Sequence, residues 1–139
     1  MYTRLTKKQN NKNTGRKNMI NPQKETQTKL TKGLIDIIIL QLIRNQPMHG
    51  YQVITKIRKS YGVYFGPSTI YPLLGTLEKK KLLNSKWDMA AERPRKIFNL
   101  TDTGVNMLNF AEESLNLMCK KISAQTNPEI TLIAGNQKY

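Results

Sequence analysis

YFGPSTIYPLLGTLEKKKLL, residues 64–83, decides how the chain folds. Gly66 suits an N-cap and Pro67 suits the first helical position, where a missing N–H costs nothing. Ile70, Leu73, Leu74 and Leu77 then recur at spacings of three and four, so the segment reads as a helix with one narrow apolar stripe. At 100° per residue the opposite side carries Ser68, Pro72, Gly75 and Lys79, with Thr69, Tyr71 and Thr76 on the flanks. A helix stabilised only by solvent exposure would place Glu, Lys and Gln there. Here the N-terminal half of the outer face is small and uncharged, and lysines follow it. Pro72 removes one intrahelical hydrogen bond. The pattern predicts a contact face, one that lets a backbone approach closely.

The helices around it can be read outward. TKGLIDIIILQLIRNQP predicts a helix from an N-cap at Thr31 to a stop near Asn45, interrupted only by Asp36, Gln41 and Arg44 and therefore buried on most sides. HGYQVITKIRKSYG predicts the next, with Tyr51, Ile54, Ile57 and Tyr61 inward and Lys56 and Lys59 outward, ending at Gly62. His49 stands at its start, where it caps or packs. After the contact helix, Leu83, Ser85, Trp87 and Met89 alternate with polar residues, and a second alternating run includes Lys96, Phe98 and Leu100. The two form a β-hairpin with Trp87 packed on the core and with Lys86, Arg93, Arg95 and Lys96 at its tip and ends. TDTGVNMLNFAEESLNLMCKKI, capped by Thr101, is a long last helix with two apolar stripes. One, Val105, Leu108, Ala111, Leu115, Met118 and Ile122, can pack on its own domain. The other, Met107, Phe110 and Leu117, needs a partner and suggests a dimer. Cys119 on the same helix is expected to be a small buried side chain.

Charge bounds the partner. The 139 residues hold 23 Lys and Arg against 9 Asp and Glu, a net +14, which makes nucleic acid the leading partner. Residues 1–32 carry nine of those cations against Glu25 alone and have little to bury, so residues 1–30 are expected to be a disordered basic tail. One cysteine and one histidine exclude a disulfide framework and a zinc site within one chain. The longest apolar run, GLIDIIILQLI, is too short to span a bilayer, and the first residues lack the apolar core of a secretory signal. No membrane partner and no cofactor are expected, and a reducing cytoplasm is the natural compartment. No pairing of carboxylates, nucleophile and base, or phosphate loop points to an enzyme.

The expected fold is mainly α with a small β-hairpin: a winged helix-turn-helix over residues 31–100, a dimerisation helix over 101–123 and a short tail over 124–139. In that layout the contact helix lies in a major groove of double-stranded DNA, and the wing touches backbone or minor groove. Residues from about Gly33 to Leu108 resemble the PadR family of transcriptional regulators, on HGYQVITKI, PSTIYPLLGTLEKKKLL and ERPRKIFNLTDTG in that order and separation. The resemblance implies a homodimeric DNA-binding regulator, often a repressor and in some members released by a small aromatic effector, that dimerises through its C-terminal helix. By position, Ser68, Thr69, Tyr71 and Pro72 match the family's groove-facing region, and Arg93, Arg95 and Lys96 its wing. Thr76, Lys79, Lys56, Lys59 and Lys86 complete the expected DNA contacts. Charge alone fits a second reading equally well, an architectural protein binding DNA or RNA without sequence preference.

Overall fold

The computed structural model describes residues 21–126. Five helices and three short strands follow one another as α1 (Pro22–Gly33), α2 (Ile35–Asn45), β1 (Met48–His49), α3 (Gly50–Tyr61), α4 (Pro67–Lys79), β2 (Leu83–Asp88), β3 (Arg95–Leu100) and α5 (Asp102–Thr126). The helices dominate and the sheet is small, the arrangement of a winged helix. Ile39, Val53, Ile57, Ile70, Leu74, Leu77, Leu83 and Leu108 are its most deeply buried large side chains. They come from α2, α3, α4, β2 and α5, so one core locks the contact helix to everything around it.

The first correction concerns the basic segment. The chain is helical from Pro22, so a tail running through residue 30 is too long by most of three turns. Asn21 caps this helix, its Oδ1 accepting from the N–H of Gln23 and of Lys24. Pro22 occupies the first turn and Glu25 faces the positive end of the helix dipole. Thr31, expected to be an N-cap, instead lies buried near the end of α1 and donates its hydroxyl to the Gln27 carbonyl at 2.7 Å. The cap signals around Asn21 outweighed the polar composition. Residues 1–20 and 127–139 lie outside the described residues, and with them most of both expected tails.

The wing gains a strand. β3 sits between β1 and β2, all antiparallel, with Met48 opposite Phe98 and Ser85 also opposite Phe98 on the other side. A two-residue strand has no periodicity to betray it. Trp87 is the second correction. Leu83 is buried and Ser85 half-buried, but Trp87, next on the same face, is 63% exposed, because the strand has run past the end of its cover. Tyr51 also faces outward, at 68% exposure, although Ile54 and Ile57 of its stripe are buried. Cys119 is exposed rather than buried, since α5 by then has left the core.

The turn from α4 into β2 is tightly built. Lys81 adopts φ 59°, the left-handed region that costs a side-chain-bearing residue about 1–2 kcal/mol. It is held there by Lys81 N–H to Glu78 O at 2.9 Å and Leu82 N–H to Leu77 O at 3.0 Å. Thr101, before α5, donates its hydroxyl to the Lys81 carbonyl at 2.6 Å, and its backbone N–H to the Leu82 carbonyl at 3.1 Å. The same hydroxyl oxygen accepts from the Gly104 N–H, so Thr101 is the expected cap. A Cβ at Gly104 would collide with the Leu82 carbonyl oxygen. Only glycine lets α5 start so close to the end of α4.

Candidate nucleic-acid interface

Gly66 and Pro67 begin α4 as the sequence suggests, and the helix continues through Pro72. Ile70, Leu74 and Leu77 go into the core, which turns Ser68, Thr69, Tyr71, Pro72, Thr76 and Lys79 outward. All six are exposed. Thr76 donates its hydroxyl to the Pro72 carbonyl at 3.0 Å. Its methyl and the proline ring stand on that exposed face. Lys56 and Lys59 are exposed on α3, Lys86 on β2, Arg93 in the loop between β2 and β3, and Arg95 at the start of β3.

Lys96 behaves differently. Its ammonium lies 3.0 Å from Glu78 Oε2, while Glu78 Oε1 accepts from the Ser85 hydroxyl at 2.8 Å. The Ser85 hydroxyl, with Lys96 next, holds the Glu78 carboxyl below its usual range. This link ties the back of α4 to both strands of the wing and fixes the angle between them. Lys96 thus has a positioning contact that its place in a basic run did not reveal. Glu78 was missed for the same reason: a lone acid among lysines reads as solvated.

The start of α3 holds the other side. His49 and Gln52 form a capping box: Gln52 N–H donates to His49 Nδ1 at 3.3 Å, and His49 N–H donates to Gln52 Oε1 at 3.1 Å. Accepting at Nδ1 puts the neutral ring's proton on Nε2. That nitrogen stands 3.3 Å from an Arg95 guanidinium nitrogen, which is also only a donor. The pair is a contact without a hydrogen bond. Burial first, and the Arg95 charge second, keep the His49 pKa below its ordinary value. Next to it, Gly50 is buried under the Tyr71 ring: a Cβ there would come within 2.6 Å of the ring's Cε1. Gly50 therefore decides where Tyr71 lies, and Tyr71 is still 49% exposed.

Tyr71, Arg95 and Lys96 come together with His49, Gly50, Tyr51, Trp87, Pro94 and Phe98 around one cleft of about 370 Å³ between the helices and the wing. Over residues 50–100 ten Lys and Arg face three acids, so this half of the molecule is +7. Among the described residues no three His, Cys, Asp or Glu side chains gather as metal ligands would, and no helix is long and apolar enough to cross a membrane.

The surface along α5 is apolar. Met107 and Leu117 are exposed and Phe110 is 66% exposed, the stripe for which the sequence asks a partner. Met118, Ile122 and, on α1, Leu30 are exposed as well. The stripe expected to pack at home does so only as far as Leu115. Two apolar grooves flank α5. One, of about 390 Å³, includes Ile37, Leu40, Leu82, Met107 and Phe110; the other, of about 360 Å³, includes Leu30, Leu34, Ile38, Leu108 and Leu115.

Comparison with known proteins gives a consistent result. The model of the transcriptional regulator PadR-like family matches residues 39–109. A PadR family transcriptional regulator from Eggerthella lenta superposes with a TM-score of 0.68 at 28% identity, covering 74% of this chain and 92% of that one. A PadR-like transcriptional regulator from Bacillus cereus does so with a TM-score of 0.62 at 25% identity, over 70% of this chain and 95% of its own. An uncharacterised 37.1 kDa protein in transposon TN4556 of Streptomyces fradiae is 26% identical over 93 residues, 67% of this chain. The chain spans about a quarter of that curated relative's length, 26%.

Proposed function

The chain belongs to the PadR-like family of transcriptional regulators, and from that membership we propose that it is a sequence-reading, DNA-binding repressor that works as a homodimer. Helix α4 enters the major groove, and the wing meets backbone or minor groove. The observation that carries this reading is the outer face of α4: Ser68, Thr69, Pro72 and Thr76 are exposed, small and uncharged. Such a face admits base edges, where a purely electrostatic binder would carry lysine. Ser68, Thr69, Tyr71, Pro72 and Thr76 read or shape the groove. Lys56, Lys59, Lys79, Lys86, Arg93 and Arg95 neutralise phosphates, with Lys96 holding the wing in place. The six cations of residues 1–20 add affinity without sequence preference. Occupying a promoter is enough to repress it.

The dimer rests on hydrocarbon left in water. Fully burying one side chain of the size of Phe110 or Leu117 is worth about 1.5–3 kcal/mol, and a second copy offers the same surface in return. Helix α1 supports this. Its 12 residues bury only Thr31, and a helix that short needs tertiary packing. Two-fold symmetry then places the half-sites about one helical turn apart, ~10 bp.

Fluorescence anisotropy on the protein's own upstream DNA and on a scrambled duplex, at several salt concentrations, tests the proposal. The expected result is a preference of ~10³ or more that persists as salt rises. Near-equal affinities that collapse together with salt overturn it in favour of architectural binding.

A further inference from the structure

The groove between α1, α2 and α5 contains a polar group that its surroundings leave unsatisfied. Leu30, Leu34, Ile38, Leu108 and Leu115 make the apolar walls of a space of about 360 Å³. Gln41 of α2 lines it too, and its side-chain Oε1 is buried with no hydrogen-bond partner among the described residues. An unpaired buried acceptor is costly. Gln41 as a whole is only half-buried, so a small turn of its amide presents that oxygen to the groove. Leu30, on the α1 rim, is 60% exposed. The groove thus lacks hydrocarbon along its walls and a hydrogen-bond donor at one point. A stretch of polypeptide with apolar side chains supplies both, since every residue but proline brings an N–H.

The chain has such a stretch close by. After α5 come Asn127 and Pro128, a pair that stops helices and turns chains, then Glu129 and the uncharged run ITLIA, residues 130–134. A helix rises about 1.5 Å per residue, which puts Thr126 about 17 Å beyond Leu115 and about 27 Å beyond Leu108. A chain doubling back from Thr126 covers at most about 3.3–3.6 Å per residue, which brings Thr131 opposite Leu115 and Ala134 opposite Leu108.

We propose that residues 130–134 dock in this groove of their own subunit, with their apolar side chains against Leu30, Leu34 and Leu115 and a backbone N–H donated to Gln41 Oε1. Two observations select this groove over its neighbour on the other flank of α5. The unpaired acceptor lines this one, and the neighbour is the one lined by Met107 and Phe110, which stay open to a second copy. The run carries no charge, so seating it moves no ionised group out of water. The inference does not depend on DNA binding.

Proximity in the full-length chain tests it. Leu30→Cys and Leu132→Cys are introduced together with Cys119→Ser, which removes the exposed native thiol, and a short bismaleimide is added. The expected product is a link within one chain, forming at a rate that falls about tenfold when Ile130→Asp is added to the same pair. The tether is identical in both proteins, so the difference reads docking. Equal rates overturn the proposal, because the link then reports only the tether. A link that joins two chains on a denaturing gel overturns it in favour of a seat on a second copy. With Phe110→Lys and Leu117→Lys added, the link within one chain should persist. Its loss there overturns docking within the subunit, and its persistence in a protein that was never a dimer leaves this proposal standing without that reading.

Gln41 gives an independent measurement. Replacing an unpaired buried amide by hydrocarbon of similar shape stabilises, whereas replacing a paired one strands its donor. Gln41→Met should therefore lower the melting temperature of the parent and raise that of the Ile130→Asp variant, by about 2–8 °C each. A rise of equal size in both denies Gln41 a partner in the parent and overturns the assignment of this groove.

Discussion

The two sides of this molecule are unfinished in opposite ways. Residues 50–100, which make α3, α4 and the wing, carry +7; residues 102–126, which make α5, carry −1. On the first side charge is in excess, with Lys96 and Glu78 as the ion pair of that side among the described residues, and the large side chains left exposed are mostly aromatic, Tyr51, Tyr64, Tyr71 and Trp87. On the second side charge nearly balances, and the excess is Met107, Phe110, Leu117 and Met118 exposed to water. Excess charge is relieved by a polyanion and excess hydrocarbon by more hydrocarbon. One chain therefore displays two separate appetites, and neither surface could serve the other's partner.

That contrast breaks most visibly if charge is placed on the apolar side. Phe110→Lys with Leu117→Lys should yield a monomer in analytical ultracentrifugation, and operator affinity should fall on the order of 10² or more as the second half-site contact is lost. A double variant that stays dimeric would place the interface elsewhere. On the basic side, Gly50→Ala pushes the Tyr71 ring aside without touching its chemistry. We expect it to resemble Tyr71→Ala, each costing about tenfold on upstream DNA and less on a scrambled duplex in anisotropy titrations. Melting should barely move in Gly50→Ala, because the displaced ring is already half exposed. Equal losses on both duplexes would deny Tyr71 a part in specificity.

A smaller effect sharpens the comparison through pH. Burial and Arg95 lower the His49 pKa, so the folded state prefers the neutral ring that caps α3. The stability this contributes is fully present above the unfolded value, about 6.5, and is lost as pH falls from there through the lowered folded pKa. Thermal melts at pH 7.5 and 5.5 should therefore differ, and His49→Asn, which caps without titrating, should reduce that difference. An undiminished difference would show that the ring's protonation is not its source. Smallest of all, Glu78→Gln removes a half-exposed ion pair and should cost no more than about 1 kcal/mol in chemical denaturation.

Much of this was readable from residue order. The Ile70, Leu74 and Leu77 stripe, the Gly66–Pro67 start, the Thr101 cap and the exposed Met107, Phe110 and Leu117 stripe follow from periodicity and cap chemistry, which are local. What escaped was local evidence overruled by neighbours. Trp87 has the alternation of a half-buried strand, but whether a strand outruns its cover depends on where α4 ends. Tyr51 fits an apolar stripe and is left outside it. Lys96 is indistinguishable in sequence from Arg95, yet one is anchored and the other is not, because Glu78 is 18 positions away. The helix at Pro22 was legible in Asn21, Pro22 and Glu25, and lost to an average over a polar segment.

The contact at Lys81, Thr101 and Gly104 has a mechanical meaning. It welds the end of α4 to the start of α5, a helix of 25 residues and so about 37 Å long. Gly104 is spent on closeness, so this joint has no hinge. In a dimer built along α5, each subunit is a stiff bracket and the pair is a caliper with its jaws preset. Such a gauge does not adjust to the object it measures. An operator whose half-sites are one base pair too far apart must untwist or bend to fit, and rejection is then paid in torsion of the duplex, with every base contact still available.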